Sequence, residues 1–293
     1  MNNNNLLFSQ GKSRILLSVA FIILAASTVA LVVFAYAGAS HQAVLPGGIG
    51  RSLGLTGGHD KIAVVYVEGQ MVSDKTSDGS GSAYSSDIVK AMRKATDDPE
   101  VKAIVMRVNS PGGTPVSAEE IISQMKKTRA IKPVVVSMGD MATSAAYYIS
   151  SQTDRIVADP DTFTGSIGVI WVFENKSKSY AEDGISFYVA KTGDYKDLGS
   201  DKRGLTTSEK DYVQSVINES YDRFVSNVAK GRNLSEDYVR SIADGRVYTG
   251  SKAQQMGLID DLGGLYDAIS IAENMSKASH NAAIVYMNEP GGK

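Results

Sequence analysis

The sequence has no cysteine. That excludes a disulfide framework, a thiolate nucleophile and a thiolate metal site. It has three histidines, His41, His59 and His280. They are scattered, lack metal-ligand spacing, and lie outside the stretch that carries the motifs below. A metal centre is therefore not expected, and neither is a histidine base or any other cofactor. Charge of one sign is also scarce: the 293 residues carry a formal net charge of −2. A nucleic-acid partner would call for a basic stripe, and none is present.

What is present begins with a long apolar run. Residues 15–39 contain no charged side chain, and spanning a bilayer takes about 20 such residues in a helix. Lys12 and Arg14 precede the run and no Lys or Arg follows until Arg51. The positive-inside rule then predicts a cytoplasmic segment over 1–14, a transmembrane anchor over 15–39 and an extracytoplasmic remainder. Cleavage as a signal peptide is the competing reading, with small-residue sites at Ala35-Tyr36-Ala37 and Ala37-Gly38-Ala39. The run exceeds the ~7–15 residues of a signal-peptide core, which favours an anchor. Residues 40–60 are Gly-rich and weakly charged, and read as a linker. The folded domain is expected over 61–293.

In that domain apolar runs alternate with helical spacing. Strands are predicted over 62–67, 103–108, 133–138, 155–158, 163–171, 186–191 and 282–287. Helices are predicted over 85–95, 118–128, 144–151, 177–182, 208–229, 235–243, 251–255 and 264–276. Continuous apolar strands between amphipathic helices predict an α/β domain with a largely parallel sheet covered on both faces. Ligands gather at the carboxyl ends of such strands.

Two motifs sit at strand ends. Asn109-Ser110-Pro111-Gly112-Gly113 follows a buried-strand pattern. Its glycines let the backbone turn and bring N–H groups close to a substrate oxygen. Alone, Ser-Pro-Gly-Gly is also good β-turn material. Ser144 lies among Ala142, Ala145 and Ala146 at a predicted helix start. It reads either as an N-cap or as a nucleophile with room for a peptide beside it. In the second case the N–H of Ala145 completes an oxyanion hole with Gly112 and Gly113. With no histidine nearby, a lysine is the substitute base. Lys196, in Thr192-Gly193-Asp194-Tyr195-Lys196-Asp197, is the candidate. It has to be neutral, so Asp194 and Asp197 must point away. Lys191 and Lys202 are weaker alternatives. Ser166, in Thr164-Gly165-Ser166-Ile167-Gly168, offers a hydroxyl to orient the amine.

The motifs in this order resemble the short, single-domain signal peptide peptidases of serine peptidase family S49, over about residues 61–272. Val108 to Gly113, Ser137-Met138-Gly139, Ser144 with Tyr147-Tyr148, Thr164 to Val169, Lys191 to Asp197 and Ala243 to Gly250 carry the resemblance. It implies a crotonase/ClpP-like α/β superfold and a dyad of Ser144 and Lys196, assisted by Ser166. It also implies an oxyanion hole at Gly113 and a homo-oligomeric ring or dome in which neighbouring protomers can share a site. The implied substrates are cleaved signal peptides and other hydrophobic peptides at the extracytoplasmic membrane face. Two departures stand out: Ala145-Ala146 replaces the usual Gly-Gly, and Thr143 replaces a small Ala or Ser. They narrow the floor of the site. The alternative readings are an inactive membrane-anchored scaffold of the same fold and a crotonase-type acyl-CoA enzyme.

Overall fold

A computed structural model describes residues 60–74, 81–279 and 281–288, within one unit, Gly58–Lys293. The expected anchor over 15–39 lies outside the described residues. Among the described residues no helix is long and apolar enough to cross a membrane.

Four central strands carry the domain: β1 (Lys61–Glu68), β4 (Val101–Ser110), β5 (Val134–Thr143) and β6 (Arg155–Ala158). Their β-branched and apolar residues alternate between two faces, as a pleated strand requires. Val65, Val67, Ile104, Met106, Val136 and Met138 point into one core. Val64, Val105, Val135 and Val157 point into the other. Both faces are therefore buried, which is why these segments read as continuous apolar runs. The larger core is closed by α1 (Ser85–Asp97), α2 (Pro115–Arg129), α3 (Ala145–Ser150) and α5 (Thr207–Arg232), after the short exposed α4 (Ser177–Glu182). The smaller core is closed by α8 (Leu265–Ser276), after α6 (Glu236–Ile242) and α7 (Gly250–Gln255).

The sheet order is β10-β1-β4-β5-β6-β9, all neighbours parallel, with β9 at Asp261–Leu262 and β10 at Ala283–Tyr286. A separate parallel pair, β2 (Gln70–Val72) and β3 (Ser82–Tyr84), lies beside it. β5 changes partner along its length. Val135–Ser137 pairs with β6, whereas Met141–Thr143 pairs with β7 (Phe163–Gly165). β7 in turn pairs antiparallel with β8 (Val247–Thr249). The switch falls at Gly139, where a Cβ would come 2.9 Å from the Asn109 side chain. Asn109 Oδ1 accepts from Met141 N–H at 3.2 Å. Thr162 and Thr164 hydroxyls donate to the Gly139 and Ala142 carbonyls, each at 2.8 Å. These bonds carry β5 five residues beyond its predicted end and aim it at Ser144.

Two predicted strands are corrected. The strand expected over 163–171 ends at Gly165, because Gly165 and Ser166 both take positive φ, 82° and 50°, and turn the chain out of the sheet. The strand expected over 186–191 does not form, and every residue from 181 to 196 is exposed. These segments have strand composition but no neighbouring strand among the described residues to pair with.

Candidate active site

The turn after β4 and the start of α3 are locked together. Thr143 Oγ1 donates to the Pro111 carbonyl at 3.0 Å. A Cβ on Gly112 would lie 2.8 Å from Ser144 Cβ, and Gly112 itself takes φ 104°. A Cβ on Gly113 would lie 1.9 Å from the Met71 carbonyl oxygen. Only glycine fits either position, so Ser-Pro-Gly-Gly here is more than a convenient turn. Met71 N–H donates to the Gly112 carbonyl and Thr114 N–H to the Met71 carbonyl. This parallel bridge turns the Gly113 N–H away from β2. The Gly112 N–H is directed differently from the sequence expectation: Ser110 Oγ, fully buried, accepts it at 3.1 Å.

Ser144 sits at φ 55°, ψ −124°, a conformation a non-glycine residue adopts only when its surroundings force it, at about 1–3 kcal/mol. Two backbone bonds hold it: its N–H donates to the Gly165 carbonyl and its own carbonyl accepts from Tyr148 N–H, both at 2.9 Å. Its side chain makes no capping hydrogen bond. The N-cap reading therefore fails, and the hydroxyl stands free at a strained strand-to-helix turn. The Ala145 N–H, one residue on, has no helical acceptor because it opens α3.

Ser144, Ala145, Gly113 and Ser166 line one cavity of about 650 Å³. Its other walls are Pro111 and Pro115, Glu119 of α2, Tyr148 of α3 and a row along α5 that includes Ile217, Tyr221 and Phe224. Ser166 is fixed by its N–H donating to the Arg246 carbonyl at 2.8 Å. The Ala243–Gly250 motif thus acts by backing this turn. Burial raises the Tyr148 phenol well above its ordinary value, and its bond to Glu119 adds to the shift, so it is a neutral donor at any physiological pH.

The lysines sort themselves. Among the described residues no lysine or histidine lines the cavity. Lys191 is tied to Asp197 at 2.7 Å and Lys202 to Asp201 at 3.5 Å. Lys196 is exposed, and its amine has no ion pair or hydrogen bond among the described residues. Asp197 is committed to other cations: Arg203 donates to both Asp197 oxygens at 2.6 and 2.9 Å. Arg203, together with Lys191, holds that carboxyl far below the usual carboxylate range. Arg203 also binds Glu209 in the first turn of α5 at 2.6 and 2.8 Å. The loop bearing Lys196 is thus clasped to the first turn of α5, and Lys196 is not among the residues lining the Ser144 cavity. Among the described residues no acid or histidine cluster could hold a metal.

Sequence reasoning missed the roles of Glu119, Tyr148, Asn109 and Arg203. A charge or hydroxyl inside a helix pattern gives no sign of which cavity the fold will turn it toward.

Comparison with known proteins agrees with this geometry. The profile of peptidase family S49 matches residues 126–279, more than half of the chain. Protease 4 of Haemophilus influenzae is 38% identical over 226 residues, covering 77% of this chain and 36% of its own length. This chain therefore spans little more than a third of that relative. A Synechocystis protein described as a candidate protease is 39% identical over 208 residues, 71% of this chain and 72% of its own length. A candidate signal peptide peptidase SppA of Enterococcus faecium is 36% identical over 202 residues, 69% of this chain and 59% of its own. With a serine at a strained turn beside two N–H groups, and these relatives, the chain belongs to peptidase family S49 and is similar to proteins named Protease 4 and signal peptide peptidase SppA.

Proposed function

We propose that this chain is a membrane-anchored endopeptidase whose dyad, Ser144 and Lys196, is completed between neighbouring copies. One observation carries the reading. The cavity holding Ser144 has a free hydroxyl and two available N–H groups but, among the described residues, no lysine or histidine in its lining. The unpaired Lys196 is presented on an exposed segment of the same chain. A second copy that places its Lys196 over this cavity supplies the missing base.

The same segment has the surface of an interface. Ile170 is 87% exposed, Val172 79% and Tyr188 94%, and contiguous exposed apolar groups of this kind mark contact surfaces. Two stretches of strand composition, 169–172 and 186–191, join no sheet among the described residues and offer backbone for strand addition. A closed ring of identical copies covers every such edge. A crotonase/ClpP-like arrangement, with its parallel sheet covered on both faces, suits this assembly.

In the proposed reaction, neutral Lys196 Nζ takes the Ser144 Oγ proton as Oγ attacks the peptide carbonyl. The Gly113 and Ala145 N–H groups hold the oxyanion. Gly112 shapes the turn, since its own N–H is committed to Ser110 Oγ. Lys196 then gives the proton to the leaving amine and activates water for deacylation. The Ser166 hydroxyl, on the wall of the same cavity, orients the incoming amine without adding negative charge that would keep it protonated. No cofactor takes part.

The N-terminal run over 15–39 would place the site on the extracytoplasmic face. Substrates there are cleaved signal peptides and other hydrophobic peptides, a class supported by the name of the Enterococcus relative. A serine-phosphonylating peptide probe followed by intact-mass analysis tests the assignment. One adduct per chain is expected, lost in both Ser144→Ala and Lys196→Ala. A labelled Lys196→Ala protein would remove that lysine from the mechanism.

A further inference from the structure

The wall opposite Ser144 carries a charge that acyl transfer does not use. Among the described residues three charged ones line the cavity: Glu119, Arg223 and Asp244. Asp244 is satisfied by Arg246, whose Nε donates to it at 2.8 Å, and Arg223 by Glu219 at 2.9 Å. Glu119 has no ionic partner among the described residues. Tyr148 Oη donates to its Oε1 at 2.6 Å, and Asn227 Nδ2 donates to Tyr148 Oη in turn. The chain fixes the carboxylate in one orientation and leaves Oε2 without a partner among the described residues. Glu119 also lines a second cavity of about 590 Å³, so it stands where the two cavities meet.

The surroundings suit a long cationic side chain. Ile217, Tyr221 and Phe224 form an apolar wall leading to the carboxylate, and the Tyr148 and Phe224 rings lock edge to face at 4.8 Å. Lysine and arginine bury an alkyl stem on such a wall while their heads reach an acceptor. A half-buried carboxylate with an open oxygen gains most from a partner that brings both charge and donors.

We propose that this cavity receives a lysine or arginine side chain of the substrate peptide, with the cation on Glu119 Oε2 and the stem along Ile217, Tyr221 and Phe224. The inference rests on the peptidase reading of the site and narrows its substrate class to hydrophobic peptides bearing a basic residue near the scissile bond. A signal peptide combines an apolar core with a basic end, so the two requirements are compatible.

The test is binding to the full-length Ser144→Ala protein, which cannot turn over. Dye-labelled decapeptides of leucine and alanine carry one lysine, moved along the peptide, each with a norleucine twin, and fluorescence anisotropy gives Kd. At one position lysine is expected to bind about tenfold tighter than norleucine, the size of a charge-assisted hydrogen bond. Adding Glu119→Gln should bring that peptide to the level of its twin. Glu119→Lys should transfer the preference to a glutamate peptide. The proposal is overturned if no lysine position exceeds its twin, or if Glu119→Gln weakens both alike. Cleavage of the same peptides by the wild type is read separately. Preference without cleavage would sink the peptidase reading and leave the subsite; cleavage without preference would do the reverse.

Discussion

Ser144 holds its positive φ only because the Gly165 carbonyl, the Tyr148 N–H and the Gly112 turn leave it no alternative. Replacing it with alanine keeps every one of those backbone bonds. Ser144→Ala should therefore abolish hydrolysis while thermal unfolding stays within a few degrees of wild type; a large fall in Tm would mean the hydroxyl is structural. Gly113 tolerates nothing larger. Gly113→Ala forces the turn off Met71 and displaces one proposed oxyanion donor, which typically costs about 10²–10³ in kcat. Steady-state kinetics would show the loss in kcat, and a change confined to KM would argue against an oxyanion role. These residues are legible in the sequence as candidates because the motifs occur together and in order, since each alone also reads as a turn or a helix cap. The commitment of the Gly112 N–H to Ser110 is not legible, since it depends on which way one peptide plane turns. Nor is the Tyr148–Glu119 contact, which joins residues on different helices.

At the scale of elements, the central strands and long helices follow from apolar periodicity, and their ends shift by no more than the five residues that β5 gains. The exception is instructive. Residues 166–172 and 185–191 have the composition of strands yet join no sheet, the second stretch exposed throughout and the first only from Ile170 on, because composition reports what a segment can pair with and not whether a partner is present. The clasp that steadies this region is ionic. Arg203, with help from the Thr206 N–H, holds Glu209 down to about 2, from an ordinary value of 4.5, and Asp197 is lowered as well. Carboxyls depressed in the folded state contribute stability that is fully present above their unfolded values and is lost as pH falls through the folded ones. Trp171, the single tryptophan, reports on this: it lies 4.9 Å from Phe173, which packs against Gly199 in the clasped loop. Its emission should be constant from pH 7 to about 5 and change between about 5 and 2. Arg203→Ala should move that change upward toward 4.5, the unshifted value of Glu209. A transition that ignores the substitution would refute the clasp. In α3, the buried Tyr147 hydroxyl donates to the Leu258 carbonyl at 2.9 Å. Tyr147→Phe should cost about 1–3 kcal/mol in urea unfolding, because that carbonyl is left unsatisfied.

At the scale of the molecule, the proposed site is divided: Ser144 lines the cavity, and Lys196 stands exposed outside its lining. The proposal that a second copy brings the two together belongs to an assembly, and no periodicity within a single sequence could have revealed it. The direct measurement is subunit mixing. Inactive Ser144→Ala and Lys196→Ala proteins are dissociated, combined in equal amounts and reassembled, with mixed oligomers verified by native mass spectrometry. If neighbours share the dyad, random mixing around a closed ring leaves about a quarter of sites with both groups intact, and peptidase activity should return to that fraction of wild type. Verified mixed oligomers with no activity would contradict a dyad shared between copies.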